Sequence, residues 1–260
     1  MIRALHSART GMNGQQTQLD VISNNLANVN TGGFKKSRAQ FEDLFYQSLR
    51  AVGAETVAGG MVPTGVQVGL GTRVTSVQKI FTQGSFTETG NDLDLSIQGD
   101  GFFQIIRDGN TYYTRDGSFK RDAEGYIVSA NGDRLQPEFA IPANTTELNI
   151  DASGMLVAQD QSQQTLGSVQ LTLHNFINPA GLKSVGGNLY VETDASGAPT
   201  EANPGSTGTG TLSQHFLETS NVNVTEEMVN LIVTQRAFEV NSKAITTADQ
   251  LLEIANTLKR

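Results

Sequence analysis

Along the stretch 224–258 apolar side chains return every seven residues, at Val224, Leu231, Phe238, Ile245 and Leu252. Ala237, Ala244, Leu251 and Leu258 run beside that row, and Ala248 and Ala255 lie on its other flank. This spacing keeps an apolar stripe on one side of a helix and lets the helix wind around a partner. No Gly or Pro breaks the stretch, so the pattern predicts one helix roughly 50 Å long at about 1.5 Å per residue. Asn230, Thr234, Asn241 and Thr247 form a further face that is too polar for a core. Such a helix needs something to lie against.

The same beat occurs at the other end of the chain. Leu5, Met12, Leu19 and Leu26 recur every seven residues, and Ala8, Ile22 and Val29 fill a companion row with Gln15 as its polar member. Gly11 and Gly14 each weaken this helix by about 1 kcal/mol relative to Ala, and marginal helices do not persist alone in water. The two terminal segments are therefore expected to pair with each other and to pack again on other copies. Two ordinary amphipathic helices of one globular domain fit the pattern equally. The first helix should end near 28–33, where Asn24, Asn25, Asn28 and Asn30 crowd its last turn and Gly32-Gly33 breaks it. Thr225 is the expected N-cap of the last helix, with Glu226 and Glu227 in its first turn.

Between the ends the period changes. Phe41, Leu44, Phe45 and Leu49 have helix-like spacing, so 34–50 reads as a helix or as an extended arm. Residues 51–72 are rich in Gly, Ala, Val and Thr and poor in charge, which suggests a loop or β-arm lying on a neighbouring subunit. Gly65, Gly69 and Gly71 do not make a dinucleotide loop, since position 74 is Val and no strand–turn–helix surrounds them. From Thr72 to about Leu217 strand-like runs alternate with turns: Leu93–Ile97, Phe102–Ile106 and Thr111–Thr114, then Val169–Leu173 and Leu189–Val191. Asp100-Gly101, Asp108-Gly109, Asp116-Gly117 and Asn131-Gly132 read as hairpin signals, with looser turns at Asp122–Gly125 and Asp151–Gly154. The Gly/Pro/Ser/Thr-rich stretch 194–210 reads as a loop or linker.

The expected fold is therefore α+β: long N- and C-terminal helices in a coiled-coil-like pair, with a mainly antiparallel all-β domain inserted between them. The expected divisions are a discontinuous helical core at 1–33 and 220–260, an arm at 34–71 and a β domain at 72–219. The expected packing residues are Leu5, Met12, Leu19, Ile22, Leu26 and Val29 on the first helix, and Val224, Leu231, Phe238, Ile245 and Leu252 on the last.

Composition narrows the function. A net charge of −8 opposes binding to a phosphate backbone, and the one basic cluster, Lys35, Lys36 and Arg38, reads as solvated surface. With no Cys there is neither a disulfide framework nor a thiolate metal site. No run of apolar residues is long enough to span a bilayer. Arg3 and Arg9 are not followed by an apolar segment, so the N-terminus does not read as a secretory signal. Asp92, Asp94, Asp100, Asp108, Asp116, Asp122 and Glu124 mostly adjoin Gly, and turn formation accounts for them better than a glycosidase pair. His6, His174 and His215 are scattered and match no metal motif, and no Gly-x-Ser-x-Gly elbow is present. The Asn-x-Thr sites at Asn144 and Asn223 are chance matches outside a glycosylating host. No cofactor, metal, nucleic acid or small-molecule substrate is expected, and the chain does not read as an enzyme. A periplasmic β-rich hydrolase is the competing class.

Several segments carry a family resemblance. The run from Ser23 to Lys35, with Asn25, Ala27, Asn28, Thr31, Gly33 and Phe34 within it, resembles the N-terminal signature of the bacterial flagellar rod and hook proteins. Asp92–Ile97, Gly99–Phe103 and Tyr113–Phe119 resemble the start of their β domain, and Ser220–Val224 with Gln235–Glu239 resembles their C-terminal signature. The segments follow the family's order and cover essentially the whole chain. Its length, single β body and 46–71 arm set it apart from the longer hook subunit and point to the distal part of the rod. The resemblance implies a structural protein exported by the flagellar type III apparatus without a cleaved signal. It would polymerise in the periplasm into a helical tube that acts as a drive shaft, with the paired terminal helices inside and the β body outward. Implied partners are further copies of the chain, proximal rod proteins, the hook protein, and the rings at the peptidoglycan and outer membrane that serve as its bearing.

Overall fold

A computed structural model describes residues 2–50, 64–206 and 208–257. Leu258 and residues 51–63 of the expected arm lie outside the described residues. Two long helices bracket a set of antiparallel strands in the sequence, and the chain forms two compact units. One comprises Met1–Leu26, Ser37–Gln78 and Asn223–Arg260, and the other Ala27–Lys36 and Lys79–Val222.

The helical unit contains α1 (Ile2–Ala27), β1 (Ser37–Asp43), β2 (Tyr46–Arg50), β3 (Val66–Gly69), β4 (Thr72–Lys79) and α2 (Val224–Thr257). The helix α1 stops where its run of Asn and Gly begins, as expected. At the start of α2 the cap is Asn223, not Thr225. Its Oδ1 accepts from the N–H groups of Thr225 at 3.0 Å and Glu226 at 3.3 Å. A side-chain oxygen on the residue just before the first turn reaches those N–H groups, and Thr225 already lies inside the helix. Residues 37–50 are strands, not a helix. β1 pairs with β4, and β2 pairs antiparallel with β3, Tyr46 opposite Gly69.

The β unit is built on a seven-stranded sheet in the order Lys183–Gly186, Leu189–Val191, Asn110–Thr114, Phe103–Arg107, Arg134–Leu135, Ile127–Val128 and Lys120–Arg121. A three-stranded sheet, Glu147–Ile150, Met155–Gln159 and Thr165–Gln170, and three strand pairs complete it. The pairings within this unit's sheets are antiparallel. Alternation along strand 103–107 sends Phe103 and Ile105 into a core with Leu95, Ile97, Leu156 and Leu173. Phe102 turns the other way, against Tyr113, Phe176 and Tyr190.

Asp108-Gly109 closes a tight hairpin, with both residues at positive φ (51° and 77°). Asn131-Gly132 lies in the connection between two paired strands. Asp100-Gly101 and Asp116-Gly117 do not close hairpins. Gly117 is required by crowding, since a Cβ there would stand 1.6 Å from the Leu95 carbonyl oxygen. The expected loop at 194–210 contains a strand, Thr200–Ala202, paired with Leu173–Asn175.

Candidate functional site

The helix α2 is continuous over 34 residues, and most of its larger apolar side chains are not covered. Val224, Met228, Val229, Ile232, Val233, Phe238, Val240, Leu251, Leu252 and Ile254 are 36–65% exposed. Leu231 and Ile245 are half-buried. The side chains of α2 that are buried are instead Glu227, Thr234 and Ala248, which fall on a seven-residue row with half-buried Asn241. On the segment around α1, Ile22 is buried, while Leu5, Met12, Leu19, Leu26 and Val29 are half-buried. The buried row lies three or four residues from Leu231, Phe238 and Ile245, so the row read from the sequence flanks the face that α2 buries, and the most exposed apolar side chains of α2, Val233 and Val240, lie on another side.

Glycines and amides make that inner contact. A Cβ on Gly11 would meet the Asn241 amide nitrogen at 3.0 Å, and one on Gly14 would meet the Phe41 ring at 3.1 Å. The two glycines that weaken α1 on its own are positions where another element comes close. Asn25 is buried, and its amide is used on both sides. Nδ2 donates to the Ser37 carbonyl at 2.9 Å and to Glu227 Oε2 at 3.4 Å, while Oδ1 accepts from the Ser37 N–H at 2.9 Å. This one side chain ties α1 both to β1 and to the first turn of α2.

The rest of the N-terminal motif belongs to the β unit. Ala27 is exposed, Asn28 and Thr31 are half-buried, and Gly33 and Phe34 are buried. The N–H of Gly33 donates to the Glu218 carbonyl at 2.8 Å. Asn221 closes the same junction: Oδ1 accepts from the Lys36 N–H at 2.7 Å, and Nδ2 donates to the carbonyls of Ile80 at 2.8 Å and Thr82 at 3.0 Å.

Lys35 corrects the expectation of a solvated basic cluster. Its side chain is 0% exposed and ion-paired with Glu218 at 2.6 Å, and Nζ also donates to the Thr82 carbonyl at 2.9 Å. Arg115, 3% exposed, lies 3.7 Å from the other oxygen of Glu218, over the Phe102 ring. Burial draws the Lys35 ammonium below its usual pKa, and the attraction of Glu218 opposes it. Burial lowers Arg115 too, against attraction from Glu218 and Asp100. Nothing in the local composition distinguishes Lys35 from its neighbours Lys36 and Arg38. Only the pairing of 33–36 with 218–221, distant in sequence, buries it.

Gly33 sits at φ +65°, and a Cβ there would lie 2.7 Å from the Asp116 nitrogen. Gly33→Ala therefore adds left-handed strain of about 1–2 kcal/mol to overpacking of about 1–3 kcal/mol. Thermal unfolding followed by circular dichroism should show a clearly lower midpoint, and an unchanged midpoint would refute the close approach.

A cleft of about 550 Å3 in the β unit is lined by Asp92, Asp94, Lys120 and Arg121. Asp94 is engaged in a local turn, accepting from the Asn91 amide at 3.1 Å. Among the described residues no group of three or more His, Cys, Asp or Glu could hold a metal ion. No described helix is long and apolar enough to cross a membrane.

Comparison with known proteins bears on this arrangement at both ends and in the middle. Residues 5–35 match the family described as flagella basal body rod protein, and residues 213–258 match the flagellar basal body rod FlgEFG protein C-terminal family. Residues 96–158 match the flagellar hook protein FlgE/F/G D1 domain. The flagellar basal-body rod protein FlgG of Buchnera aphidicola subsp. Acyrthosiphon pisum is 50% identical over 256 residues, covering 97% of this chain and 98% of that protein. The protein of the same name from Caulobacter vibrioides is 46% identical over 263 residues, covering 99% and 100%. That from Bacillus subtilis is 41% identical over 268 residues, covering all of both chains.

Proposed function

Because the chain belongs to the flagellar basal-body rod protein family, we infer that its exposed helix faces are assembly surfaces of a drive shaft. The chain is a structural subunit of the flagellar distal rod, not an enzyme, and it assembles in the basal body with other rod and hook components. On this reading residues 1–33 and 220–260 are the polymerisation core, in which the terminal helices pair in coiled-coil fashion and pack on neighbouring copies. The polymer is a helical tube that carries torque from the proximal rod to the hook. It turns within the rings at the peptidoglycan and outer membrane. Export through the flagellar type III apparatus, without a cleaved signal, delivers the subunits to the periplasm.

The single observation that supports this most is the uncovered apolar side of α2. Soluble monomers rarely leave so long an apolar strip in water. Covering it yields about 25 cal/mol per Å2 of apolar surface. A contact that repeats without closing makes a helical filament. The test is genetic. In a flagellated bacterium lacking its own distal rod subunit, this chain should restore complete rods and swimming. Basal bodies that still stop before the hook, despite normal export of the chain, would overturn the reading.

The arm at 46–71 is read as a brace against adjacent subunits. Phe45 is 89% exposed, and Tyr46, Leu49, Val66 and Val68 are exposed along the β2–β3 hairpin. Deletion of residues 51–68 is expected to give a curved or more flexible polymer, scored by electron microscopy. A deleted chain that still builds straight rods would remove this role.

A further inference from the structure

α1 and α2 meet at two points: Asn25 against Glu227, and Gly11 against Asn241. The two points are two heptads apart on each helix and in opposite order, so the helices run antiparallel in one alignment. Midway between them stand Gln18 on α1 and Thr234 on α2. Thr234 is buried, and Gln18 Oε1 is buried with no hydrogen-bond partner among the described residues. Ala4 and Ala248 continue the two rows toward the chain ends, and Ala248 is buried. The inner row of α2 is thus Glu227, Thr234, Asn241 and Ala248, flanked by half-buried Leu231 and Ile245, while Val229, Val233, Val240 and Leu251 stay uncovered on the apolar side away from it. A polar residue at a buried heptad position sacrifices stability and fixes alignment.

We propose that this polar double row is a register key, which admits one alignment of the chain's two ends and turns the apolar side of α2 outward, toward other copies of the chain. A slide by one heptad removes Asn25 from Glu227 and leaves a buried carboxylate without that donor. The same slide sets Asn241 against Gln18 or Ala4 instead of the gap at Gly11. An apolar inner row would tolerate such slides, because Leu packs against Leu in every register. The outward half of the proposal rests on the rod reading; the alignment half does not.

The chain has no Cys, so paired Cys substitutions report alignment without background. Ala4→Cys with Ala248→Cys reports the native register, and Ala4→Cys with Ala255→Cys reports a slide of one heptad. Each pair is treated with a short bis-maleimide in the full-length chain, and the linked fraction is read by gel mobility. In the otherwise unchanged chain the native pair should link at least about tenfold more than the shifted pair. Adding Glu227→Leu and Asn241→Leu should bring the two fractions to within about twofold. An unchanged ratio would overturn the proposal. The exchange Gly11→Asn with Asn241→Gly provides the independent check, since it keeps the fit with the sides reversed. It should preserve the native preference, and loss of that preference would also overturn the key. Sedimentation of the same samples reads assembly separately. Absence of polymer from the parent chain would remove the rod reading, while the linking ratio would still decide the key.

Discussion

Glu218→Ala should be among the most damaging single substitutions in the β unit. It leaves Lys35 and Arg115, both buried, without the one carboxylate between them. It also strips a hydrogen bond of 2.9 Å from the N–H of Gly84. Removing one partner of a buried pair typically costs about 3–5 kcal/mol, because the desolvated charge that remains is uncompensated. Here two such charges remain. For a chain of this size that corresponds to a fall in thermal midpoint of about 10 °C or more, measurable by circular dichroism. Lys35→Met should cost less, since Glu218 keeps Arg115 and the Gly84 N–H. Combining Lys35→Met with Glu218→Leu should recover only part of the loss, as Arg115 then lacks its ion-pair partner. A midpoint for Glu218→Ala within about 2 °C of the parent, below the effect of 1 kcal/mol, would show that the cluster is solvated.

The second large effect concerns assembly and should leave the fold alone. Val233 and Val240 are 60% and 65% exposed on α2. Surface substitutions of this kind usually change stability by less than about 0.5 kcal/mol. In the polymer the same side chains are expected to be buried against neighbouring copies. Fully burying a Val contributes about 1.5–3 kcal/mol, and an unpaired carboxylate in its place adds a desolvation cost. Val233→Asp with Val240→Asp should therefore raise the concentration needed for filaments by at least about a hundred-fold, at 1.4 kcal/mol per tenfold. The melting of the monomer should not move. Filaments from the Asp variant at the parent's concentration would show that this side of α2 is not an interface.

Much of the architecture is legible in the sequence. An uninterrupted heptad run predicts α2, the Asn-Gly cluster predicts the end of α1, and Asp108-Gly109 predicts a hairpin that forms. The sequence does not reveal that the deepest row of α2 is polar. Periodicity identifies the apolar row of Leu231, Phe238 and Ile245, which flanks the buried one. Asn241 and Glu227 take the inner position because Gly11 leaves room for the Asn241 amide and the Asn25 amide donates to Glu227. The spacing at 34–50 leaves a helix and an extended arm both open, and strands form there. Phe41 and Leu44 belong to one strand and its exit, and Phe45 and Leu49 to the approach and body of the next, so their helix-like spacing runs across two elements. Gly14 gives Phe41 its place against α1, a contact between residues far apart in the chain. Lys35 is the clearest loss: a lysine between apolar and basic neighbours carries no mark of burial until Glu218 arrives from the other end of the sequence.

The measurement that bears most directly on the central claim compares full-length protein with a chain lacking residues 1–30 and 224–260, by sedimentation and electron microscopy. If the terminal helices are assembly elements, the full-length chain forms filaments or large oligomers, and the trimmed chain stays a folded monomer with its β signature intact. If both behave as the same compact monomer, the helices belong to an ordinary globular core and the rod assignment of their apolar faces is wrong.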